Sequence, residues 1–188
     1  MYRNGGKRLL DLILSLVAAL ILSPFMLLIA LAIKLADPGP VIFRQQRIGV
    51  GGRTFAFYKF RSMPVNTGDI PSDRLGEVRL SWIGRLIRRT NLDELPQLWN
   101  VLKGDMSLIG PRPPIPSQEE LVALRRENGA LALRPGLTGW AQVNAYDGMS
   151  VAAKATLDGD YARGLSLLKD VRIILRTFLY LLRPPPKY

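Results

Sequence analysis

The sequence predicts an α+β fold, mainly helical. An N-terminal re-entrant membrane helix hairpin covers residues 1–36, and a small cytoplasmic domain with a β-hairpin and interfacial amphipathic helices covers 37–188. Three observations predict it. Leu12 to Ile33 is a run of 22 uncharged, almost wholly apolar residues; as a helix it rises about 33 Å, enough to cross a bilayer core. Val41 to Gln46 and Thr54 to Phe60 are rich in β-branched and aromatic residues and flank Gly49, Gly51 and Gly52, the composition of a hairpin. Further on, apolar residues recur at helical spacing beside clustered Lys and Arg.

Ser23-Pro24 interrupts the apolar run. Proline deletes one backbone hydrogen bond and its ring clashes with the preceding turn, so a kink is expected there. In lipid the freed carbonyl needs a partner, and the Ser23 hydroxyl is the local one. Both flanks are basic: Arg3, Lys7 and Arg8 precede the run, and Lys34, Arg44, Arg47, Arg53, Lys59 and Arg61 follow it. Lys and Arg mark the flank that stays in the cytoplasm, and a straight span would carry one set across. A helix broken at Ser23-Pro24 returns to its own side, which favours re-entrance over a kinked spanning anchor. A secretory signal cleaved at Ala30-Leu31-Ala32 is the other reading. The run is longer than the usual apolar core of about 7 to 15 residues in such signals, so the segment reads as retained.

The later elements follow in order. Asp37-Pro38-Gly39-Pro40 is a turn cluster, and Ser62 to Gly76, with Pro64, Gly68 and Pro71, reads as a mobile loop. In Leu80 to Arg89, Trp82, Ile83, Leu86 and Ile87 fall on one side and Arg85, Arg88 and Arg89 largely on another. That pattern suits either a helix lying in a membrane interface or one facing a protein core. The next helix should run from near Asp93 to Lys103-Gly104, with Pro96 tolerated in its first turn. Gly110-Pro111-Arg112-Pro113-Pro114 is a stiff, extended loop. Ser117 to Asn128 reads as a charged helix with Ser117 and Glu120 as a capping box, and Arg134 to Trp140 as a constrained loop. Leu165 to Leu182 places Leu168, Val171, Leu175, Phe178, Leu179 and Leu182 on one apolar face.

Composition narrows the chemistry. With neither Cys nor His, disulfides, thiolate nucleophiles, imidazole bases and N/S transition-metal sites are excluded. Carboxylates, Lys, Arg, hydroxyls and hard cations remain. The 26 Lys and Arg outnumber 15 Asp and Glu, a formal charge of +11 that points to phosphate-bearing partners. Because 48% of residues are apolar, lipid fits better than nucleic acid, and no nucleic-acid module is present.

Asp93-Glu94 and Glu119-Glu120 are the adjacent acid pairs. The second is explained by helix capping and dipole compensation. The first, flanked in sequence by Arg88-Arg89 and Arg112, allows three readings: a structural cap, ligands for Mg²⁺ shared with substrate phosphates, or a carboxylate that attacks phosphorus.

Lys59-Phe60-Arg61-Ser62-Met63, Arg88 to Gln97, Asn100 to Pro113, Arg134 to Trp140 and Leu157-Asp158-Gly159-Asp160-Tyr161 together resemble the bacterial initiating sugar transferases. These are also called the small monotopic phosphoglycosyl transferases of polyprenol phosphate. The resemblance covers nearly the whole chain, including Ser23-Pro24, and fits the small single-domain form. It implies that residues 37–188 are a phosphoglycosyl transferase domain at the cytoplasmic face of the bacterial inner membrane. There it would move sugar 1-phosphate from a UDP-sugar to undecaprenyl phosphate and release UMP. By position, Asp93 would be the nucleophile that forms a covalent phosphosugar adduct. Glu94, with Asp93, would hold Mg²⁺ and help deprotonate or orient the acceptor. Lys59, Arg88 and Arg112 would hold phosphates, and Asp158 is grouped with these substrate-binding residues, its part in the chemistry open. A non-catalytic membrane adaptor that binds anionic lipid or a partner protein and keeps these motifs as scaffold is the competing reading. The intact Asp93-Glu94 pair and Arg112 favour the enzyme. The sugar, the pathway and the oligomeric state stay open.

Overall fold

The computed structural model describes residues 2–65, 80–144 and 148–181. Most of the loop expected over Ser62–Gly76 falls outside them, as do Leu182 and the proline run from Pro184. The apolar segment forms α1 (Lys7–Ala36), one helix of 30 residues with Pro24 inside it. The interruption expected at Ser23-Pro24 thus lies within one helical span. The local chemistry explains the continuity. Pro24 has no N–H for the Leu20 carbonyl four residues back, and the Ser23 hydroxyl donates to that same carbonyl at 2.9 Å.

Both ends of α1 pack on the same body. Near its start, buried Asp11 accepts from Ser107 Oγ at 2.7 Å and from the Leu108 backbone N–H at 3.1 Å. Arg8 donates to the carbonyls of Val101 and Leu102, and Lys7 donates to Asp170 at 2.8 Å. Near its end, Ile29 and Ile33 join Phe60, Ile83 and Ile87 in one buried cluster. Between these anchors Leu20, Ile21, Leu27 and Leu28 are 64% to 71% exposed, far more apolar surface than a water-facing helix carries.

The hairpin forms as expected. β1 (Ile42–Ile48) and β2 (Thr54–Phe60) pair antiparallel from Ile42↔Phe60 to Ile48↔Thr54. The connecting turn places Gly51 at φ 64° and Gly52 at φ 89°, where a side chain would clash with the backbone. α2 (Trp82–Arg89) starts at Ser81, whose hydroxyl accepts from the Gly84 N–H. Its four apolar residues separate: Ile83 and Ile87 are buried, whereas Trp82 and Leu86 remain exposed. One face of the helix thus packs into the core, and the other stays open.

Asp93 and Glu94 lie on a separate 3₁₀ turn, Leu92–Glu94, and α3 (Gln97–Lys103) follows with Pro96 as its first boundary residue. β3 (Ser107–Ile109) and β4 (Gly136–Thr138) form a parallel pair that the sequence pattern did not reveal. A Cβ on Gly136 would sit 2.1 Å from the Gly110 backbone nitrogen, so glycine is what lets the two proline-rich loops run side by side. α4 (Glu119–Glu127) begins two residues after Ser117, and its boundary residue Gln118 makes no side-chain cap bond. The expected Ser117–Glu120 capping box is thus absent. Gln118 instead closes a turn with Ile115, its Oε1 accepting from the Ile115 N–H at 3.1 Å.

α5 (Val151–Arg163) and α6 (Leu167–Leu181) complete the fold. Tyr161 of α5 donates to Asp170 of α6 at 2.6 Å, and Asp170 also takes Lys7 and the Tyr2 hydroxyl. One buried carboxylate therefore ties the start of α1 to the C-terminal helices. The apolar face expected on α6 points outward over its described residues: Leu168, Val171, Leu175, Phe178 and Leu179 are all exposed.

Candidate active site

Three elements bring cationic and acidic side chains together. Lys59 is the penultimate residue of β2, Glu94 closes the 3₁₀ turn, and Arg112 sits in the loop after β3. Lys59 Nζ donates to Glu94 Oε1 at 2.7 Å and stands 3.5 Å from Asp93 Oδ2. Arg112 Nη2 donates to the same Glu94 oxygen at 3.0 Å. Arg88, in the last turn of α2, lowers the Asp93 pKa through its charge. Of the sequence-predicted set, Asp93, Glu94, Lys59, Arg88 and Arg112 thus act on one another.

The turn is aimed by local devices. Asn91, at φ 55°, leaves α2 in the left-handed region that Asn tolerates better than most residues, and Thr90 Oγ1 bonds back to the Leu86 carbonyl at 2.8 Å. Asn100 sets α3 against β2: its Oδ1 accepts from the Tyr58 N–H at 3.1 Å and its Nδ2 donates to the Ala56 carbonyl at 2.7 Å. A helix side chain thereby takes the place of a strand partner, one residue before Lys59. This fully buried amide fixes the distance between Lys59 and the acids, since unpaired polar groups would be costly there.

Asp158 lies elsewhere. It is 1% exposed and accepts from Arg125 Nε at 2.9 Å and Nη2 at 2.6 Å, so no substrate contact is open to it. Arg125 Nη1 in turn donates to the backbone carbonyl of Arg112 at 2.8 Å. The pair holds the Arg112 loop from beneath, a positioning role. Sequence reading overlooked Arg125, because one arginine on a charged helix carries no sign that it is buried.

The two acids are driven apart electrostatically. Burial pushes the Asp93 carboxyl above its usual range, with the Glu94 charge adding to this and Lys59, Arg88 and Arg112 opposing it. Burial also opposes ionisation of Glu94, but Lys59 and Arg112, by charge and by hydrogen bonds, outweigh it and hold Glu94 well below the carboxylate range. Adjacent carboxylates with opposite shifts suit different tasks: Asp93 is the more basic oxygen donor and Glu94 the permanently charged one. The donor chemistry also fits a hard cation. Mg²⁺ commonly takes one or two carboxylates together with substrate phosphates, and Glu94 and Asp93 are the residues that would hold it here.

The family model described as bacterial sugar transferase matches residues 2–184. The chain belongs to the bacterial sugar transferase family. Among relatives of this sugar transferase, a UDP-glucose:undecaprenyl-phosphate glucose-1-phosphate transferase of Xanthomonas campestris pv. campestris is 40% identical over 97% of the chain, which spans 40% of that relative. A protein of the same name from Caulobacter vibrioides is also 40% identical over 97% of the chain, which spans 72% of it. A UDP-N-acetylgalactosamine-undecaprenyl-phosphate N-acetylgalactosaminephosphotransferase of Aeromonas hydrophila is 42% identical over 91% of the chain and 42% of its own length. The sugar transferase thus covers well under half of the first and third of these relatives.

Proposed function

We propose that this sugar transferase moves sugar 1-phosphate from a UDP-sugar to undecaprenyl phosphate at the cytoplasmic face of the bacterial inner membrane, the first membrane step of a glycoconjugate pathway. The observation that carries the reading is a buried, upshifted carboxylate, Asp93, set among Lys59, Arg88 and Arg112 in a body joined to an exposed apolar helix. Phosphoryl transfer requires alignment and charge neutralisation above all, which a site without His or Cys can supply. The names of the relatives agree, since each combines a UDP-sugar with undecaprenyl phosphate.

In the first half-reaction an Asp93 carboxylate oxygen attacks the β-phosphorus of the UDP-sugar. The new O–P bond forms as the bond to the bridging oxygen breaks, and UMP leaves with that oxygen and its electron pair. Arg112, Lys59 and Arg88 hold the phosphate oxygens. In the second half-reaction a phosphate oxygen of undecaprenyl phosphate attacks the same phosphorus, the Asp93–phosphorus bond breaks, and the carboxylate is restored. Glu94 keeps Lys59 and Arg112 in place and orients the acceptor. Bound Mg²⁺ would neutralise charge on the phosphates, with Glu94 and Asp93 as its protein ligands. The reading is tested by UMP release from a panel including UDP-glucose and UDP-N-acetylgalactosamine, with and without undecaprenyl phosphate. A stoichiometric burst without acceptor and turnover with it are expected; no UMP from any donor would overturn the reading.

Two results follow from the same geometry. Attack needs ionised Asp93, and Lys59 is the strongest of the cations that oppose its upshift. In Lys59→Met the Asp93 carboxyl should rise further and stay protonated to higher pH. The acid limb of the UMP burst should then move to higher pH than in the wild type, and an unmoved limb would show that Lys59 does not tune the nucleophile. The second concerns topology. Because both ends of α1 are held by one body, we infer that the helix enters one leaflet, bends at Ser23-Pro24 and returns, with the transferase domain on the cytoplasmic face. The absence of native Cys makes single-cysteine reporters clean. Exposed Arg3→Cys and Arg53→Cys should both react with an impermeant maleimide in inside-out vesicles and in neither case from the periplasm. Opposite sidedness of the two would establish a spanning helix.

A further inference from the structure

The two cations that meet on Glu94 Oε1 come from different strands, and each strand is clamped to a different end of α1. On the Lys59 side the clamp is Arg61, two residues further along the chain and 7% exposed. Its backbone N–H donates to the Val41 carbonyl at 2.8 Å, its Nη2 donates to the Asp37 carbonyl, and the same nitrogen stands 3.3 Å from Asp37 Oδ2. Asp37 is the boundary residue that closes α1, its own N–H donating to the Ile33 carbonyl at 3.0 Å. On the Arg112 side the clamp is Asp11, buried near the start of α1. It grips Ser107 and Leu108 of β3, the strand that runs into the Arg112 loop.

A charge withdrawn from water is costly unless it is paired and hydrogen-bonded, so both clamps resist sliding. The apolar contacts of Ile29 and Ile33 with Phe60, Ile83 and Ile87 carry no such direction. The other polar anchors of α1 lead away from the two cations: Arg8 to carbonyls at the end of α3, and Lys7 to Asp170 of α6. We propose that Asp11 and Arg61 are positioning residues through which α1, braced against both strands, holds Lys59 and Arg112 at the spacing where both reach Glu94. The inference rests on the reading of these two cations as phosphate holders and adds what sets the distance between them.

The first test is the acceptor-free UMP burst of the full chain in nanodiscs, with thermal melting measured beside it. Arg61→Met should slow the burst about 10²-fold, the order that an ångström of misplacement costs, and should add nothing in a chain that already carries Lys59→Met. Ser107→Ala removes one of the bonds to Asp11 and strands no charge; it too should slow the burst, and add nothing to Arg112→Met. Arg61→Lys, with one nitrogen still able to reach Asp37, should keep most of the rate. Arg8→Met loosens α1 without altering a contact to either strand; it should lower the melting temperature and leave the burst rate unchanged. Multiplying losses when Arg61→Met is combined with Lys59→Met, or an equal slowing in Arg8→Met, would make the clamps general anchors and overturn the proposal. A second readout needs no turnover. Because the chain has no native Cys, Lys59→Cys with Arg112→Cys can be bridged by a short bis-maleimide, in a yield that Arg61→Met or Asp11→Leu should lower severalfold and Arg8→Met should not. That pattern in a protein that releases no UMP would support the brace while overturning the transferase reading. An unaltered yield would overturn the brace in an active enzyme as well, so the two failures are distinct.

Discussion

Asp93→Asn should abolish covalent labelling by a UDP-sugar carrying ³²P in its β-phosphate and, with it, UMP release; the expected loss is on the order of 10⁴-fold or more. The amide keeps the shape of the side chain but has no anionic oxygen to attack phosphorus. Asp93→Glu keeps the charge and displaces it by a methylene, which should cost about 10²-fold through misalignment alone. Glu94→Gln should still form the adduct, more slowly, because the nucleophile is retained and Lys59 and Arg112 lose their shared anchor. Stability separates a chemical defect from unfolding. The Asp93 carboxyl is shifted up by burial from 3.8, so the folded state binds its proton more tightly than the unfolded state. Its contribution to stability therefore declines as pH rises between 3.8 and the folded value. Because burial favours the neutral form of the Asp93 side chain, the neutral amide in Asp93→Asn should melt no lower than the wild type. Wild-type labelling in a pure Asp93→Asn preparation would remove Asp93 from the mechanism.

Arg125→Met is expected to have the largest effect on stability. Arg125 and Asp158 are 2% and 1% exposed in their side chains and 2.6 Å apart. Removing one partner strands a buried charge, at about 3 to 5 kcal/mol, or roughly 10 °C of melting temperature for a chain of this size. The carbonyl of Arg112 also loses its donor, so the donor KM should rise. Arg125→Met combined with Asp158→Leu removes both charges and should recover most of the stability, since an apolar pair can replace a buried ion pair. It should not recover the donor KM, because the Arg112 carbonyl still lacks the donor that Arg125 supplied. Recovery of both together would show that the pair acts on the fold alone.

These two cases show what was legible in the chain. The Asp93-Glu94 doublet stands out because acids at the start of a helical segment, between arginines, already constrain the chemistry, and the surrounding motifs resemble one family over nearly the whole chain. The β-hairpin was readable from its glycines, and the partner of the Leu20 carbonyl from the rule that proline leaves an acceptor free. α5 escaped notice because its Ala and other apolar residues are spread around the helix without a stripe. β3 and β4 are three residues each, too short for alternation to register. For α2, spacing placed four apolar residues on one side, but only contact with α1 decided that Ile83 and Ile87 belong to the core and Trp82 and Leu86 to the outer surface.

By itself, the sequence determined the features that depend on neighbours along the chain: an apolar helix with a proline weak point and a hydroxyl to mend it, a tight β-hairpin, an acidic turn and a strong excess of basic charge. Tertiary structure decided which charges meet. Lys59 and Glu94 are 35 residues apart, Arg125 and Asp158 33 apart, and Asp11 reaches Ser107 across 96. Coulombic and hydrogen-bond energies act through space and grow with burial, so the difference between Asp93 and Glu94, and the passage of Asp158 from a substrate-binding candidate to a positioning residue, arose only once these distant segments were packed together.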